Sequence, residues 1–286
     1  MYSTFFVVLV RHQTRRKVMS RYRRITEATM AQLVKEGRGQ GRGQDYKPWL
    51  TVRDVPSRGL STRDKGWTTG RVHHVLSNLE LEYLYTLDWN ADVTDIREQY
   101  PLQIDETLDI AKRLGIKHPF VNKYNEYAVM TTDFLVDSVF NDSPVLLARS
   151  IKTESDLLSK RTLEKIMIEQ LYWKERGIDF KVVTEKQIQR NLAWNVGFIH
   201  SAKASMDTLV SPQMLWLIEK RLFTMLQQQH SSYAKVALEN DQALGMEGGT
   251  SLWVIKHLIA NRIWEVNMSK KIDPGYPLEV QRREGF

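Results

Sequence analysis

The segment TTDFLVDSVFNDSPVLLARSIK, residues 131–152, decides the fold that we predict for this chain. Two runs rich in β-forming apolar residues flank the polar stretch NDSP (141–144), which is typical of a turn. The two runs are therefore predicted to pair as an antiparallel hairpin. An aspartate lies near the start of the segment and a lysine at its end, so the register of the hairpin decides whether the two groups meet.

The register also predicts which side chains share a face of the sheet. If the four polar residues form the whole turn, Asp133 lies directly opposite Lys152, with Cβ atoms about 5 Å apart. Alternation along each strand adds Asp137 and Ser150 to the same face. An aspartate and a lysine that face each other across a hairpin also form ordinary surface salt bridges. A structural and a hydrolytic interpretation of the pair are both open at this point.

A predicted helix at residues 75–89 supplies another acid. Leucines and a tyrosine recur there at spacings of three and four, which indicates an amphipathic helix. Glu80 lies inside the apolar stripe. Ser77 and Glu80 also match a capping box, in which the glutamate bonds the backbone at the start of the helix. Glu80 is therefore either a capping residue or a buried functional carboxylate.

The residues after the hairpin predict an α/β fold. Residues 162–173 have the composition of a helix, Gly177 ends it, and the valine-rich residues 179–184 resume as a strand. A strand, a helix and a second strand form a crossover unit, which lays the last strand beside the hairpin. Sites in such folds commonly lie at the ends of strands.

The composition of the 286-residue chain restricts its chemistry. The chain has no cysteine, which excludes disulfides, thiolate zinc sites and a cysteine nucleophile. No apolar run reaches the length that crosses a bilayer, so we expect no membrane partner. Carboxylates beside a lysine suit a hard cation such as Mg²⁺, with Mn²⁺ as a substitute. Phosphodiester hydrolysis is the reaction that fits these groups best.

The formal net charge of +7 comes from the start of the chain. Residues 1–24 contain seven lysines and arginines and no acid, so the rest of the chain is formally neutral. Such a basic N-terminal arm contacts nucleic-acid phosphates, serves as an Arg-rich targeting segment, or is disordered. All three interpretations are open.

A glycine-rich repeat, GRGQGRGQ at residues 37–44, predicts a loop. A phosphate-binding loop would continue with Gly-Lys-Ser or Gly-Lys-Thr after the glycines, and residues 45–48 do not supply that ending. We therefore expect a flexible loop or a loop that runs along DNA, and no nucleotide site.

Residues 186–286 are predicted to form a second, mostly α-helical domain. Residues 233–246, a Glu-Gly-Gly turn, residues 250–260 and residues 263–268 read as helix, turn, helix and strand, a winged-helix-like order. Such a unit either inserts its second helix into a DNA groove or docks another protein. That helix and the residues just after it offer only a few side chains that could read bases, namely Lys256, His257, Asn261 and Arg262. The docking of another protein is therefore the favoured interpretation.

Several segments in this order closely resemble the TnsA family. They are VKEGRGQGRGQDYKPWL (34–50), GRVHHVLSNLE (70–80), DIREQYPL (95–102), GIKHP (115–119), TTDFLVD (131–137) and RTLEKIMIEQLYW (161–173). The resemblance covers roughly residues 25–190 and is looser beyond them. That family is the endonuclease subunit of a two-protein, cut-and-paste DNA transposase, and its catalytic domain resembles restriction endonucleases.

The resemblance implies a restriction-endonuclease-like domain at residues 25–185 and assigns roles within it. The helix acid corresponds to Glu80, the strand aspartate to Asp133 and the lysine to Lys152, and these are the expected catalytic residues. The expected metal ligands are Glu80, Asp133, Ser150 and the carbonyl of Ile151. Ser150 departs from the family pattern, which has glutamine or glutamate there. A hydroxyl binds a cation less strongly than a carboxylate does, so we expect an active site with modest metal affinity.

The implied function is cleavage of the 5′ ends of the transposon, which frees the strands that are not transferred. Three partners are implied, namely transposon-end DNA, a TnsB-like DDE transposase that acts on the 3′ ends, and a TnsC-like ATPase regulator. The expected location is the bacterial cytoplasm, at the nucleoid. Two alternatives are a stand-alone site- or structure-specific nuclease and a DNA- or protein-binding adaptor whose site has decayed.

Overall fold

The computed structural model describes residues 27–54, 61–121, 125–203, 210–228 and 230–283. The predicted basic arm, residues 1–24, lies outside them. The helices run, in chain order, as α1 (Glu27–Lys35), α2 (Asn78–Trp89), α3 (Ile104–Arg113), α4 (Glu154–Leu157), α5 (Lys160–Lys174), α6 (Arg190–Ile199), α7 (Pro212–Gln228), α8 (Tyr233–Leu244) and α9 (Thr250–Ala260). Short 3₁₀ turns lie at Gly43–Asp45 and His200–Lys203.

The strands are short except for three in the middle of the chain. In chain order they are β1 (Thr62–Lys65), β2 (Val72–Val75), β3 (Val93–Pro101), β4 (Phe120–Val121), β5 (Glu126–Tyr127), β6 (Thr131–Phe140), β7 (Ser143–Ile151), β8 (Asp179–Val183), β9 (Trp264–Glu265) and β10 (Gln281–Arg282). A four-stranded sheet in the order β3-β6-β7-β8 forms the centre of the α/β region. The predicted α/β class is confirmed.

The β6–β7 hairpin has a tighter turn than the sequence pattern indicated. Phe140 pairs with Ser143, so the turn contains only Asn141 and Asp142. Both residues have positive φ angles, 48° and 58°, which is the geometry that a two-residue type I′ turn requires and that Asn and Asp tolerate. Each residue of β6 therefore pairs with a residue of β7 that lies two positions earlier in the chain than the predicted partner. A shift of two residues keeps every side chain on its predicted face of the sheet.

The predicted crossover is present. Strand β7 continues through α4 and α5 into β8, which pairs parallel to β7. Alternation along β6 builds a core on each face of the sheet. Phe134 and Val136 pack with Leu84 of α2 and Ala193 of α6, while Leu135 packs on the opposite face. Helices α3 and α5 cover that opposite face, so the sheet lies between two helical layers.

The glycine-rich loop is packed against the edge strand β3. Gly39 has a φ of 74°, and a Cβ on it would lie 2.3 Å from Pro101 Cγ, so only glycine fits this close approach. The Gly43 amide donates to Asp95 Oδ1 at 3.1 Å, and the Trp49 amide donates to the Gln99 carbonyl at 3.2 Å. The loop therefore covers an edge that would otherwise expose unpaired backbone groups.

The C-terminal region is mostly α-helical, as predicted, and α8, a turn, α9 and β9 follow in the predicted order. Helix α9 lies inside the core, which includes Val254, Ile255, Leu258 and Ile259. Because α9 is buried in this core, it is not available to enter a DNA groove. The winged-helix comparison beyond the order of elements stays a prediction.

The four side chains that were considered as possible base readers each contact another residue of the protein. His257 is buried and bonds the Ala202 carbonyl, and the Asn261 side chain donates to the His257 carbonyl. Arg262 donates to the Trp89 carbonyl, while Lys256 lies over the Phe198 ring.

None of the helices in the described part of the chain combines the length and the apolar character that crossing a bilayer requires.

Candidate active site

Asp133 lies at the centre of a polar cluster near one end of β6. Its Oδ2 atom accepts hydrogen bonds from the Lys152 ammonium at 2.6 Å and from the Ile151 amide at 2.6 Å. The register of the hairpin sets Asp133 opposite Ser150, so the prediction that Lys152 faces it directly is wrong. The contact with Lys152 nevertheless forms, because a long lysine side chain spans the diagonal distance between strands.

Lys152 follows the last residue of β7 and is held on both sides. Its amide donates to the Val183 carbonyl of β8, and its Nζ atom donates to the Ile151 carbonyl at 2.9 Å. Burial alone would lower the pKa of Lys152. The carboxylates of Asp133, Glu169 and Glu80 outweigh burial and raise that pKa above its ordinary value. Lys152 therefore stays cationic at neutral pH and acts as a hydrogen-bond donor rather than as a base.

Glu80 caps α2, and its carboxylate is also buried beside the cluster, so its geometry is compatible with both interpretations of the sequence. Its amide donates to Ser77 Oγ at 3.2 Å, while its carboxylate accepts from the Leu76 amide at 2.8 Å and from Ser77 Oγ at 3.0 Å, which caps α2. The same carboxylate is buried and faces the cluster. Burial, followed by the charge of Asp133, raises the pKa of Glu80 to about 7.

Ser150 and Ile151 line the same cluster. The Ser150 side chain is buried, and its Oγ atom lies 3.4 Å from Asp133 Oδ2. The Ile151 carbonyl accepts from the Lys152 ammonium. The structure therefore brings together all of the residues that the resemblance assigned to the site.

Glu169 on α5 is a member of the cluster that the sequence analysis missed. It is 4% exposed and lies beside the hydroxyl groups of Thr132 and Ser150. Its Oε1 atom has no hydrogen-bond partner among the described residues. Burial raises the pKa of Glu169 to about 7, although the charge of Lys152 opposes this. The only sign in the sequence is the spacing of four residues between Glu169 and Trp173, and this spacing does not distinguish Glu169 from the other charged residues of α5.

Gln99 is the second residue that was missed. It lies on β3 between Glu98, which pairs with Phe134, and Tyr100, which pairs with Thr132, and it has a φ of 50°, a conformation that non-glycine residues rarely adopt. Its amide nitrogen lies 3.4 Å from Glu80 Oε2, and its side-chain oxygen accepts from Thr131 Oγ1 at 3.2 Å. No pattern in the sequence marks a backbone distortion of this kind.

Asp137 does not belong to the site. Its carboxylate pairs with Arg97 of β3 and with Arg42 of the glycine-rich loop. It shares a face with Asp133, as predicted, but four residues of strand separate the two by about 13 Å. Asp137 therefore holds the loop to the sheet.

The donor set of the cluster suits Mg²⁺. Carboxylates from Glu80 and Asp133, the Ile151 carbonyl and the Ser150 hydroxyl are all hard oxygen donors. Within the described ranges, no group of three or more His, Asp or Glu side chains is placed so that it could hold a metal ion on its own. Mg²⁺ does not require one, because it commonly takes one or two protein carboxylates and completes its shell with water and substrate phosphate. The buried, unpartnered oxygen of Glu169 adds a further acceptor.

Comparisons with known proteins identify the family of the chain. Residues 90–185 match the family model described as TnsA-like endonuclease N terminal, and residues 187–268 match the model described as TnsA endonuclease C terminal. The chain is 39% identical over 246 residues to the Transposon Tn7 transposition protein TnsA of Escherichia coli. That alignment covers 86% of this chain and 88% of the relative. The chain belongs to the TnsA endonuclease family.

Proposed function

We propose that this protein is the DNA endonuclease subunit of a transposase and that it hydrolyses the 5′ ends of the transposon in a Mg²⁺-dependent reaction. The observation that carries the proposal is the convergence of Glu80, Asp133 and Lys152 from a helix and two strands onto one buried, oxygen-rich cluster. Phosphodiester hydrolysis needs this combination, because negative charge develops on the phosphate in the transition state.

Glu80, Asp133 and the Ile151 carbonyl would hold the cation, with Ser150 as a weaker donor. When bound, Mg²⁺ polarises the scissile phosphodiester and lowers the pKa of the attacking water. Mn²⁺ is the expected substitute, because it accepts the same oxygen ligands. Glu169 compensates for the missing carboxylate at position 150, since it presents its charge beside the Ser150 hydroxyl.

Lys152 supplies a fixed positive charge to the reaction. Asp133 orients the lysine ammonium through a 2.6 Å hydrogen bond and keeps it protonated. The ammonium can then donate to a phosphate oxygen or orient the attacking water without a change of protonation state. Each of these tasks depends on a cation, so a neutral residue at position 152 cannot replace it.

Specificity and timing come from partners in this proposal. The E. coli relative is a transposon transposition protein, which supports transposon-end DNA as the substrate. A TnsB-like DDE transposase would cut the 3′ ends, and a TnsC-like ATPase would regulate the pair. We infer a location in the bacterial cytoplasm, at the nucleoid, where the substrate lies.

An assay of purified protein on transposon-end DNA, with and without the partner transposase, tests this function against its alternatives. We expect Mg²⁺-dependent 5′ cleavage only in the presence of the partner. Cleavage by the protein alone would instead favour a stand-alone nuclease. No cleavage under any condition, with DNA or partner binding retained, would favour an adaptor whose site has decayed.

Metal binding is expected to strengthen as the pH rises through 7. Burial raises the pKa of both Glu80 and Glu169 to about 7, and each carboxyl must lose its proton before it can attract a cation. The Mg²⁺ affinity measured by titration calorimetry should increase at least about tenfold between pH 6 and pH 8. Glu80→Gln should weaken binding and flatten this dependence. An affinity that stays constant over the same range would contradict the assignment.

A further inference from the structure

Lys165 is a second lysine that lies against the site from the α5 side. It precedes Glu169 by one helical turn, so the two side chains lie on the same face of α5, the face that packs on the sheet. The side chain is half-buried, and its charge interacts with those of Lys152, Arg161, Asp133 and Glu169. Lys165 therefore belongs to the surroundings of the cluster, although nothing in the sequence patterns marked it.

The ammonium of Lys165 differs from its cationic neighbours because it lacks a partner. Lys152 is bonded to Asp133, and Arg161 is bonded to Glu164 and to the Lys117 carbonyl. In the portion of the chain that the structure describes, Lys165 makes neither a salt bridge nor a hydrogen bond. A partly desolvated cation without an acid partner, close to two other cations, is unfavourable unless an anion approaches it.

The charges of the cluster indicate what that anion is. Three carboxylates, from Glu80, Asp133 and Glu169, interact with the charge of Lys152, and two of them, Asp133 and Glu169, interact with that of Lys165. These five groups together carry one net negative charge when all three carboxylates are ionised. A bound Mg²⁺ changes the net charge of these groups from one negative to one positive. One phosphodiester group then makes the complex with metal and DNA neutral. Without Lys165 the same complex carries a net negative charge, which repels the phosphate as further charge develops on it.

We propose that Lys165 is a second catalytic cation, which contacts the scissile phosphate from α5 while Lys152 approaches it from the end of β7. This inference rests on the proposed function of the site. It adds a second residue of α5, besides Glu169, to a site whose other residues come from α2 and the sheet. The ligand of Lys165 is a non-bridging oxygen of the phosphodiester that is cut.

Three variants of the full-length protein test this proposal in single-turnover cleavage of transposon-end DNA, with the partners that the wild type requires. Lys165→Met should slow cleavage by about 30- to 300-fold, since it removes a cation from the transition state. Lys165→Arg should retain most of the rate. Lys174→Met is the matched control, because Lys174 is an exposed lysine at the far end of the same helix, and it should cleave like the wild type.

A substrate with a neutral methylphosphonate at the scissile position identifies the ligand. If Lys165 contacts that phosphate, Lys165→Met weakens binding of the normal DNA but has no further effect on binding of the methylphosphonate DNA. Equal losses on both substrates would overturn the proposal, because Lys165 would then contact some other group. Thermal unfolding of free Lys165→Met should give a Tm equal to or above that of the wild type, and a clear fall would instead indicate a structural role.

The outcomes separate this proposal from the proposed function. A wild type that fails to cleave with Mg²⁺ and all partners contradicts the function itself. A wild type that cleaves, together with a Lys165→Met variant of equal rate, contradicts only the role of Lys165.

Discussion

Replacement of Lys152 with alanine is expected to reduce 5′ strand cleavage by about 10³-fold or more while the protein remains folded. Among the residues that the structure describes, this side chain is the one cation that hydrogen-bonds Asp133, and its raised pKa keeps it charged at neutral pH. Cleavage of labelled transposon ends, followed on a denaturing gel, measures the loss. Circular dichroism reports the fold.

Lys181→Ala is the matched control for that experiment. Lys181 lies on the neighbouring strand β8, its side chain is 66% exposed, and its one ion pair with a described residue is a long contact of 3.6 Å with Asp179. Its removal should leave cleavage within about twofold of the wild type, because an exposed ion pair of this kind contributes little. Equal losses in Lys152→Ala and Lys181→Ala would mean that general positive charge, rather than the position of Lys152, supports the reaction.

Glu169→Gln is expected to have opposite effects on stability and on cleavage. The pKa of Glu169 in the folded protein is about 7, above its usual value of 4.5. Between about pH 4.5 and pH 7, the folded protein therefore keeps a proton that the unfolded chain has already released. Stability is therefore lost as the pH rises from about 4.5 to 7. At pH 8, Gln removes a buried charge and should raise the free energy of unfolding of the metal-free protein by roughly 1–3 kcal/mol.

The same substitution removes the carboxylate that lies beside Ser150, so cleavage should fall by about 10²-fold. Denaturant unfolding at pH 5 and pH 8 measures the stability, and the gain should be confined to pH 8. Glu175→Gln is the control: Glu175 is an exposed residue just beyond α5, paired with Arg113 on the surface, so its replacement should leave cleavage unchanged and cost at most about 1 kcal/mol of stability. A Glu169→Gln protein that is less stable at pH 8 yet fully active would show that Glu169 serves only the fold.

The hairpin illustrates what the sequence could predict. Alternation along residues 131–140 and 145–152 predicted the strands and the shared face of Asp133 and Lys152. The exact register was wrong, because the pattern NDSP did not indicate that Asn141 and Asp142 alone would adopt positive φ angles. The error was harmless to the site, since a shift of two residues preserves the face and a lysine side chain spans the remaining distance.

The rest of the site was beyond the reach of local patterns. Glu169 looked like one of many charges on α5, and only the packing of Ile168 and Trp173 on the sheet shows that it faces inward. The position of Gln99 depends on a backbone distortion in β3, where its carbonyl accepts a hydrogen bond from the Trp49 amide, which follows the glycine-rich loop. Glu80 was assigned to the site because the family resemblance identified it. The capping pattern alone would not have decided whether Glu80 is also a functional carboxylate.

The most direct test of the account is to map the cleaved strands of transposon-end DNA for the wild type, Asp133→Ala and Asp137→Ala, with Mg²⁺ and the partner transposase present. The two aspartates share one strand and one face, and both form salt bridges, but only Asp133 lies in the cluster. We predict that the wild type and Asp137→Ala produce 5′ ends and that Asp133→Ala does not. Identical 5′ ends from the wild type and Asp133→Ala would contradict the assigned active site.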